Sequence, residues 1–245
     1  MKTIIMAAGY ATRLYPLTKN FPKPLLKIGR STILDRLLND IDKISDVTEH
    51  IIVTNHRFVH FFEEWRMKNH YTKPITIIDD GTETNESRLG AVRDLLLAVN
   101  KCEIDDDIFV LAADNILDFS LRDFVNYAKE KGTSCIMCHK EMDLNKLQRT
   151  GVITMDEDMK VLTMEEKPQY PQSHWAVPPF YIYSRLDLPL IKDCLNHGCG
   201  FDAPGNLARY LVDRTTIYAY EMLGKRYDVG SIEIYKDVKD YFMEG

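Results

Sequence analysis

Ala7-Ala8-Gly9 follows directly on the apolar run 2–6, and the same stretch goes on through Thr12-Arg13-Leu14 to Pro22-Lys23-Pro24-Leu25-Leu26. Small residues just past a strand let backbone N–H groups approach an anion closely, while Arg13 and Lys23 bring fixed positive charge to one loop. That combination suits a polyphosphate. The stretch contains neither the G-x-x-x-x-G-K-[ST] loop nor the G-x-G-x-x-G fingerprint, so the common nucleotide motifs do not fit. Two carboxylates sit where open α/β sheets bind ligands: Asp114 just past the apolar run 108–112, and Asp228 ahead of a glycine turn and a helix. Glu165-Glu166-Lys167-Pro168 ends a further strand-like run. Taken alone, an Asp after a strand caps a turn and an E-E-K run is a solvated face.

The elements that must position these residues alternate short apolar runs with helical stripes, the pattern of βαβ units. Strands are predicted at 2–7, 50–54, 75–78 and 108–112. Helices are predicted at 32–44 behind a Ser31 cap, around the Phe58, Phe61, Phe62, Trp65 stripe, at 89–99 and at 120–131. Strand-like runs then dominate at 133–139, 151–155, 161–166 and 175–183, followed by helices near 186–196 and 205–213, a strand near 216–222 and a closing helix after Ser231. The polar segment Asp143–Arg149 separates the two rhythms and reads as a subdomain border.

Composition narrows the function classes. With 31 Lys and Arg against 37 Asp and Glu, the net charge of -6 provides no global field for nucleic acid. No apolar run reaches the length of a membrane span. The residue set Met1-Lys2 onward imitates a short export signal but reads better as a buried first strand. Five scattered cysteines (Cys102, Cys135, Cys138, Cys194, Cys199) suit reduced thiols used for packing in a cytoplasmic protein rather than a disulfide framework. Cys135-Ile136-Met137-Cys138-His139 has the haem-attachment form, but positions three apart on a strand point to opposite faces. Cys194 and Cys199 flank a predicted helix end and are discounted as metal ligands.

The pattern A-A-G-x-x-T-R-L-x-P-L-T-x-x-x-P-K-P-L-L resembles the opening of the sugar-1-phosphate nucleotidylyltransferases, the NDP-sugar pyrophosphorylases. The resemblance continues through Leu89-Gly90-Ala91, Ala113-Asp114-Asn115, Gly151-Val152-Ile153, Glu165-Glu166-Lys167-Pro168, Ala176-Val177 and Tyr227-Asp228-Val229-Gly230-Ser231. It implies one α/β domain over 1–245 with a Rossmann-like mixed, mostly parallel sheet flanked by helices, a nucleotide-binding half at 1–142 and a sugar-phosphate half at 143–245. It further implies joining an NTP to a sugar 1-phosphate, with Mg²⁺ held by Asp114 and Asp228. Ala7, Ala8, Gly9, Thr12, Arg13, Lys23, Leu89 and Gly90 would face the nucleotide, and Gly151, Glu166, Lys167 and Val177 the sugar phosphate. Arg13, Lys23 and Asp114 would carry the catalysis. The implied partners are small-molecule substrates, with no nucleic acid and no membrane, and homo-oligomerisation is left open. Departures from the family pattern include Ala113 for the usual Gly and Pro178-Pro179 for a small pair, which should reshape the sugar pocket. Thr84-Asn85-Glu86-Ser87 matches no base-specific pattern. A heptose phosphate or phosphocholine as acceptor, and a non-catalytic sensor subunit, remain the alternative readings.

Overall fold

In the computed structural model, which describes residues 1–242, β-branched runs form strands and amphipathic stripes form helices, giving an α/β fold with a mixed sheet flanked by helices. The chain divides into two compact units built from interleaved segments. One contains Thr3–Arg88, Ala112–Arg122 and the chain from Gly224; the other contains Met1–Lys2, Leu89–Leu111 and Asp123–Leu223. The border expected at Asp143–Arg149 thus lies inside the second unit, where the segment forms the short helix Leu144–Leu147. No described helix is long and apolar enough to cross a membrane.

In the first unit the strands Lys2–Met6, Glu49–Thr54 and Ile75–Asp79 lie in that order, the last two parallel with His50 opposite Ile75 and Thr54 opposite Asp79. Helix Ile33–Ile41 begins at a capping box: Asp35 N–H donates to Thr32 Oγ1 at 3.0 Å and Thr32 N–H to Asp35 Oδ2 at 2.8 Å. The cap is therefore Thr32, not Ser31, because Thr32 has a carboxylate three residues on to reciprocate. A two-stranded antiparallel ribbon, Asn115–Leu117 with Arg226–Asp228, was not legible in the sequence. Both of its strands are three residues long, too short to show a period.

A dry cluster lies beneath this ribbon and the loop after the first strand. Leu14 and Leu26 from the loop meet Ile28, Ile33, Ile116, Val229 and Val238, with Phe21, Tyr227, Tyr235 and Phe242 packed against them. Ile116 and Val229 are each one or two positions from a site carboxylate, so burial of apolar side chains sets where those carboxylates stand.

In the second unit the strand order is Val161–Glu166, Gly151–Met155, Trp175–Val177, Cys135–Lys140, Phe180–Tyr183, Ile108–Ala112, with the pairings antiparallel and Tyr218–Glu221 parallel to Cys135–Lys140. The run 175–183 is two strands rather than one. Pro178-Pro179 has no N–H to give a ladder, so pairing stops there, and Phe180–Tyr183 takes up a different stretch of Cys135–Lys140 together with Ile108–Ala112.

The cysteine reading needs one correction: Cys194 and Cys199 form a disulfide. Helix Pro189–Asn196 ends two residues after Cys194, and Gly198 in the left-handed region folds the chain back, which brings the two Cα atoms to 5.3 Å. Cys135 and Cys138 are buried thiols whose pKa is pushed up to about 12 by burial, which leaves them unreactive.

Ile116 is 1% exposed within the cluster. Ile116→Ala should lower the unfolding free energy by about 2 to 5 kcal/mol, measured from the urea midpoint. A change below about 1 kcal/mol would show that the cluster does not anchor the ribbon.

Candidate functional site

The expected site residues fall into two groups, one on each unit. In the first unit the backbone leaves strand Lys2–Met6, with Ala7 N–H donating to Val53 O at 2.8 Å and Asn55 Nδ2 donating to Ala8 O at 3.0 Å. Both alanines are buried. Gly9 is exposed, and a Cβ placed on it would meet nothing of the protein within 4 Å. Ala11 takes the left-handed conformation, fixed by Thr18 Oγ1 donating to Ala11 O at 2.8 Å, and a single 3₁₀ turn over Thr12–Leu14 follows. Leu14 faces the cluster, while Thr12 and Arg13 face water. The loop is anchored at its buried residues and presents Gly9, Thr12 and Arg13.

Lys23 is nearly buried, with 9% of its side chain exposed, and its Nζ lies 2.8 Å from Asp114 Oδ2. The other Asp114 oxygen accepts from Asn115 Nδ2 at 2.8 Å. Arg226 Nη1 donates to Asn115 Oδ1 at 2.6 Å and stands 3.6 Å from Asp228 Oδ2. Ribbon pairing places Asp228 opposite Asn115, and Val229 N–H donates to Asp114 O at 3.1 Å, so the two carboxylates are locked by backbone. The Asp228 pKa is raised, first by the protein around it displacing water and then by the like charge of Asp114; Arg226, Lys23 and Arg13 oppose the rise. About half of the Asp228 side chain is still open to solvent.

This arrangement fits a hard divalent cation. Two facing carboxylates repel, both retain exposed oxygen, and no third His, Cys, Asp or Glu joins them among the described residues. Mg²⁺ is held in such surroundings by one or two carboxylates, with water and substrate phosphates filling the remaining positions. Asn115 and Arg226 received no role from sequence reasoning. The available signals were Asn115 adjoining Asp114 and Arg226 two residues before Asp228, on the same face of a strand.

In the second unit three of the four expected acceptor residues are cross-strand neighbours. Gly151 stands opposite Glu166 on one side and Val177 on the other. Burial raises the Glu166 pKa, and Lys167 opposes this. Lys167 takes φ 53°, its N–H donates to Thr150 O at 3.0 Å, and its side chain is exposed.

Leu89 and Gly90 also belong to this unit and lead into helix Ala91–Lys101. The first N–H groups of that helix find carbonyl partners across the unit: Val92 N–H donates to Phe201 O at 3.0 Å and Ala91 N–H to Asp202 O at 3.3 Å. The Arg93 guanidinium lies over the Phe201 ring at 3.9 Å.

Comparison with known proteins shows the family and the fold. The sequence model of the Nucleotidyl transferase family matches residues 2–244. The chain is 25% identical over 245 residues to a glucose-1-phosphate adenylyltransferase of Fervidobacterium nodosum, covering 95% of this chain and 59% of that protein. It is 32% identical over 232 residues to the bifunctional protein GlmU of Methanococcus aeolicus, covering 94% of this chain and 51% of that one. The chain thus spans between half and three-fifths of the length of these relatives. A crystal structure of UDP-glucose pyrophosphorylase complexed with UDP-glucose has the same fold, with TM-score 0.83, 22% identity, and coverage of 99% of this chain and 98% of that one.

Gly90 adopts φ +90°, and a Cβ there would fall 2.6 Å from Phe201 O. Gly90→Ala combines the cost of a positive-φ extended conformation, about 1 to 3 kcal/mol for a residue with a Cβ, with a backbone clash, so it should cost about 2 kcal/mol or more in urea unfolding. A loss under about 0.5 kcal/mol would show that the contact between Gly90 and Phe201 is slack.

Proposed function

The chain belongs to the nucleotidyl transferase family, and from that premise we propose that it transfers a nucleotidyl group from an NTP to a sugar 1-phosphate, releasing pyrophosphate and forming an NDP-sugar. The observation that carries this reading is the meeting of Lys23, Asp114, Asp228 and the charge of Arg13 at one loop that is otherwise small-residue backbone. The acceptor phosphate oxygen is already anionic, so no protein nucleophile and no general base are needed. That oxygen attacks the α-phosphorus, the bond to the bridging oxygen breaks, and pyrophosphate departs with the electron pair. What remains for the protein is alignment and charge neutralisation. Arg13 is assigned to the departing phosphates and Lys23 to the transferring one. Lys167 holds the acceptor phosphate, and Glu166 accepts hydrogen bonds from acceptor hydroxyls. Asp114 and Asp228 would hold Mg²⁺, which when bound supplies positive charge to the triphosphate.

The test is pyrophosphate release across the common NTPs and a panel of sugar 1-phosphates, with a heptose phosphate and phosphocholine included. Release is expected only when NTP and acceptor are both present, and it should vanish in EDTA. Asp114→Ala and Asp228→Ala should each lower kcat by about 10² or more with the fold intact. Full turnover in EDTA, or wild-type kcat in either variant, would remove the metal assignment.

Arg13 and Lys167 should fail in different columns of the kinetics. Loss of one charge-assisted phosphate contact costs about 1.5 to 3 kcal/mol, or roughly 10- to 150-fold in kcat/KM. Lys167→Ala should chiefly raise KM for the sugar phosphate. Arg13→Ala should impair NTP use forward and pyrophosphate use in reverse. If both variants showed the same defect, divided equally between the substrates, the acceptor pocket would have to be placed elsewhere.

A further inference from the structure

Glycine in a helix or strand interior weakens it, so a glycine kept where the backbone does not need one asks for a cause. Gly151, in strand Gly151–Met155, and Gly205, the first residue of helix Gly205–Val212, both have φ outside the left-handed region, and any residue could adopt their conformations. What surrounds them is the same group. A Cβ on Gly205 would fall 2.0 Å from Glu166 Oε2 and 3.0 Å from Glu166 Cδ, and a Cβ on Gly151 would fall 3.3 Å from the same Oε2. The Met164 Cε methyl closes the space, 3.1 Å from the Gly205 position and 2.9 Å from the Gly151 position. Two elements distant in sequence thus omit their side chains around one carboxylate oxygen.

The Glu166 carboxylate accepts no hydrogen bond from the protein among the described residues. Its direction therefore rests on shape. A carboxylate held by hydrogen bonds would return to its donors after a small steric insult, whereas one held by a slot goes wherever the slot allows. With no protein donor bound among the described residues, the carboxylate keeps acceptor capacity for a ligand.

We propose that Gly205 is a positioning residue for the acceptor pocket: together with Gly151 it forms a side-chain-free slot that holds the Glu166 carboxylate in the direction needed to receive the hydroxyls of a phosphorylated sugar. This rests on the acceptor reading of Glu166 given above. The clash is with the far end of a flexible side chain, so a methyl group at 205 displaces the carboxylate while the helix stays in place. Alanine is also the better helix former.

The experiment is a double-mutant cycle of Gly205→Ala and Glu166→Ala, read as KM for glucose 1-phosphate in UTP-dependent pyrophosphate release, with a crystal structure of the Gly205→Ala protein. Gly205→Ala should raise that KM about tenfold, in line with a lost hydrogen bond to a charged group, with kcat within about twofold and Tm unchanged or higher. In the Glu166→Ala background the substitution should add nothing, because the oxygen it would strike is gone. The crystal structure should show helix 205–212 in place and the Glu166 carboxylate turned out of the slot. A Gly205→Ala protein that folds only when Glu166→Ala is also present supports the same coupling. Equal KM increments from Gly205→Ala in both backgrounds, an unmoved carboxylate beside a shifted helix, or failure of both proteins to fold would overturn the proposal, since the glycine would then serve the helix itself. If Glu166→Ala left KM unchanged, the acceptor reading would fall and the proposal with it. A raised KM in Glu166→Ala beside a silent Gly205→Ala would overturn the seating alone.

Discussion

Two carboxylates that face each other repel unless positive charge stands close by, and the first unit is organised around that constraint. Burial, and then the like charge of Asp114, raises the Asp228 pKa, so the pair depends on positive charge and on a fixed backbone. The structure uses several terms at once. Lys23 and Asn115 occupy the two oxygens of Asp114, Arg226 bridges from Asn115 toward Asp228, and the ribbon fixes both backbones. Beneath them Leu14, Ile116 and Val229 belong to one apolar cluster, so apolar burial holds the loop and both acidic segments in place while the two carboxylates stay partly open to water.

The second unit solves a different problem by different means. There the group to be aimed is a single carboxylate with no hydrogen-bond donor among the described residues, and its surroundings are defined by what has been left out. Gly151, Glu166 and Val177 share one register position across three adjacent strands, and Gly205 arrives from a helix. Burial makes the carboxylate reluctant to ionise, and Lys167 counters this. A hydrogen bond formed in such surroundings is less diluted by water than one at the surface.

Most of the fold was legible because it is written in apolar periodicity. Ile33, Leu34, Leu37, Leu38 and Ile41 are all buried on one helix face, and the strands at 151–155 and 161–166 fall at their predicted positions. What escaped depends on contacts between residues far apart in sequence. The bond from Arg226 to Asn115 spans 111 positions and sits in a ribbon too short to carry a pattern. The disulfide between Cys194 and Cys199 depends on a helix ending and a left-handed glycine turning the chain back, which cysteine counting does not register. The compact units are interleaved rather than consecutive, so no compositional seam marks them. Among the site residues, those in the loop after the first strand were legible as a motif with a mechanism. The neighbours that hold them were not, because Asn115 and Arg226 look like any polar residues.

Glu166 and Lys167 show how adjacent residues can be given opposite surroundings. Along a strand successive side chains point to opposite faces, which already separates them. The conformation of Lys167 completes the separation. Its φ of 53° is rare for a residue with a Cβ and carries a cost on the order of 1 to 3 kcal/mol. That conformation persists because its N–H is donated to Thr150 O and Thr150 Oγ1 is donated to Val177 O, while Pro168, which has no N–H, stops the strand from continuing. The turn therefore ends strand Val161–Glu166 at the residue where the carboxylate enters its slot, and it leaves the ammonium in water one residue later. Extending the strand by one residue would place Lys167 in the ladder and tie its direction to the pleat. Ending it there lets a half-buried carboxylate and a solvated cation stand side by side, the pair of groups that the proposed sugar-phosphate acceptor would use.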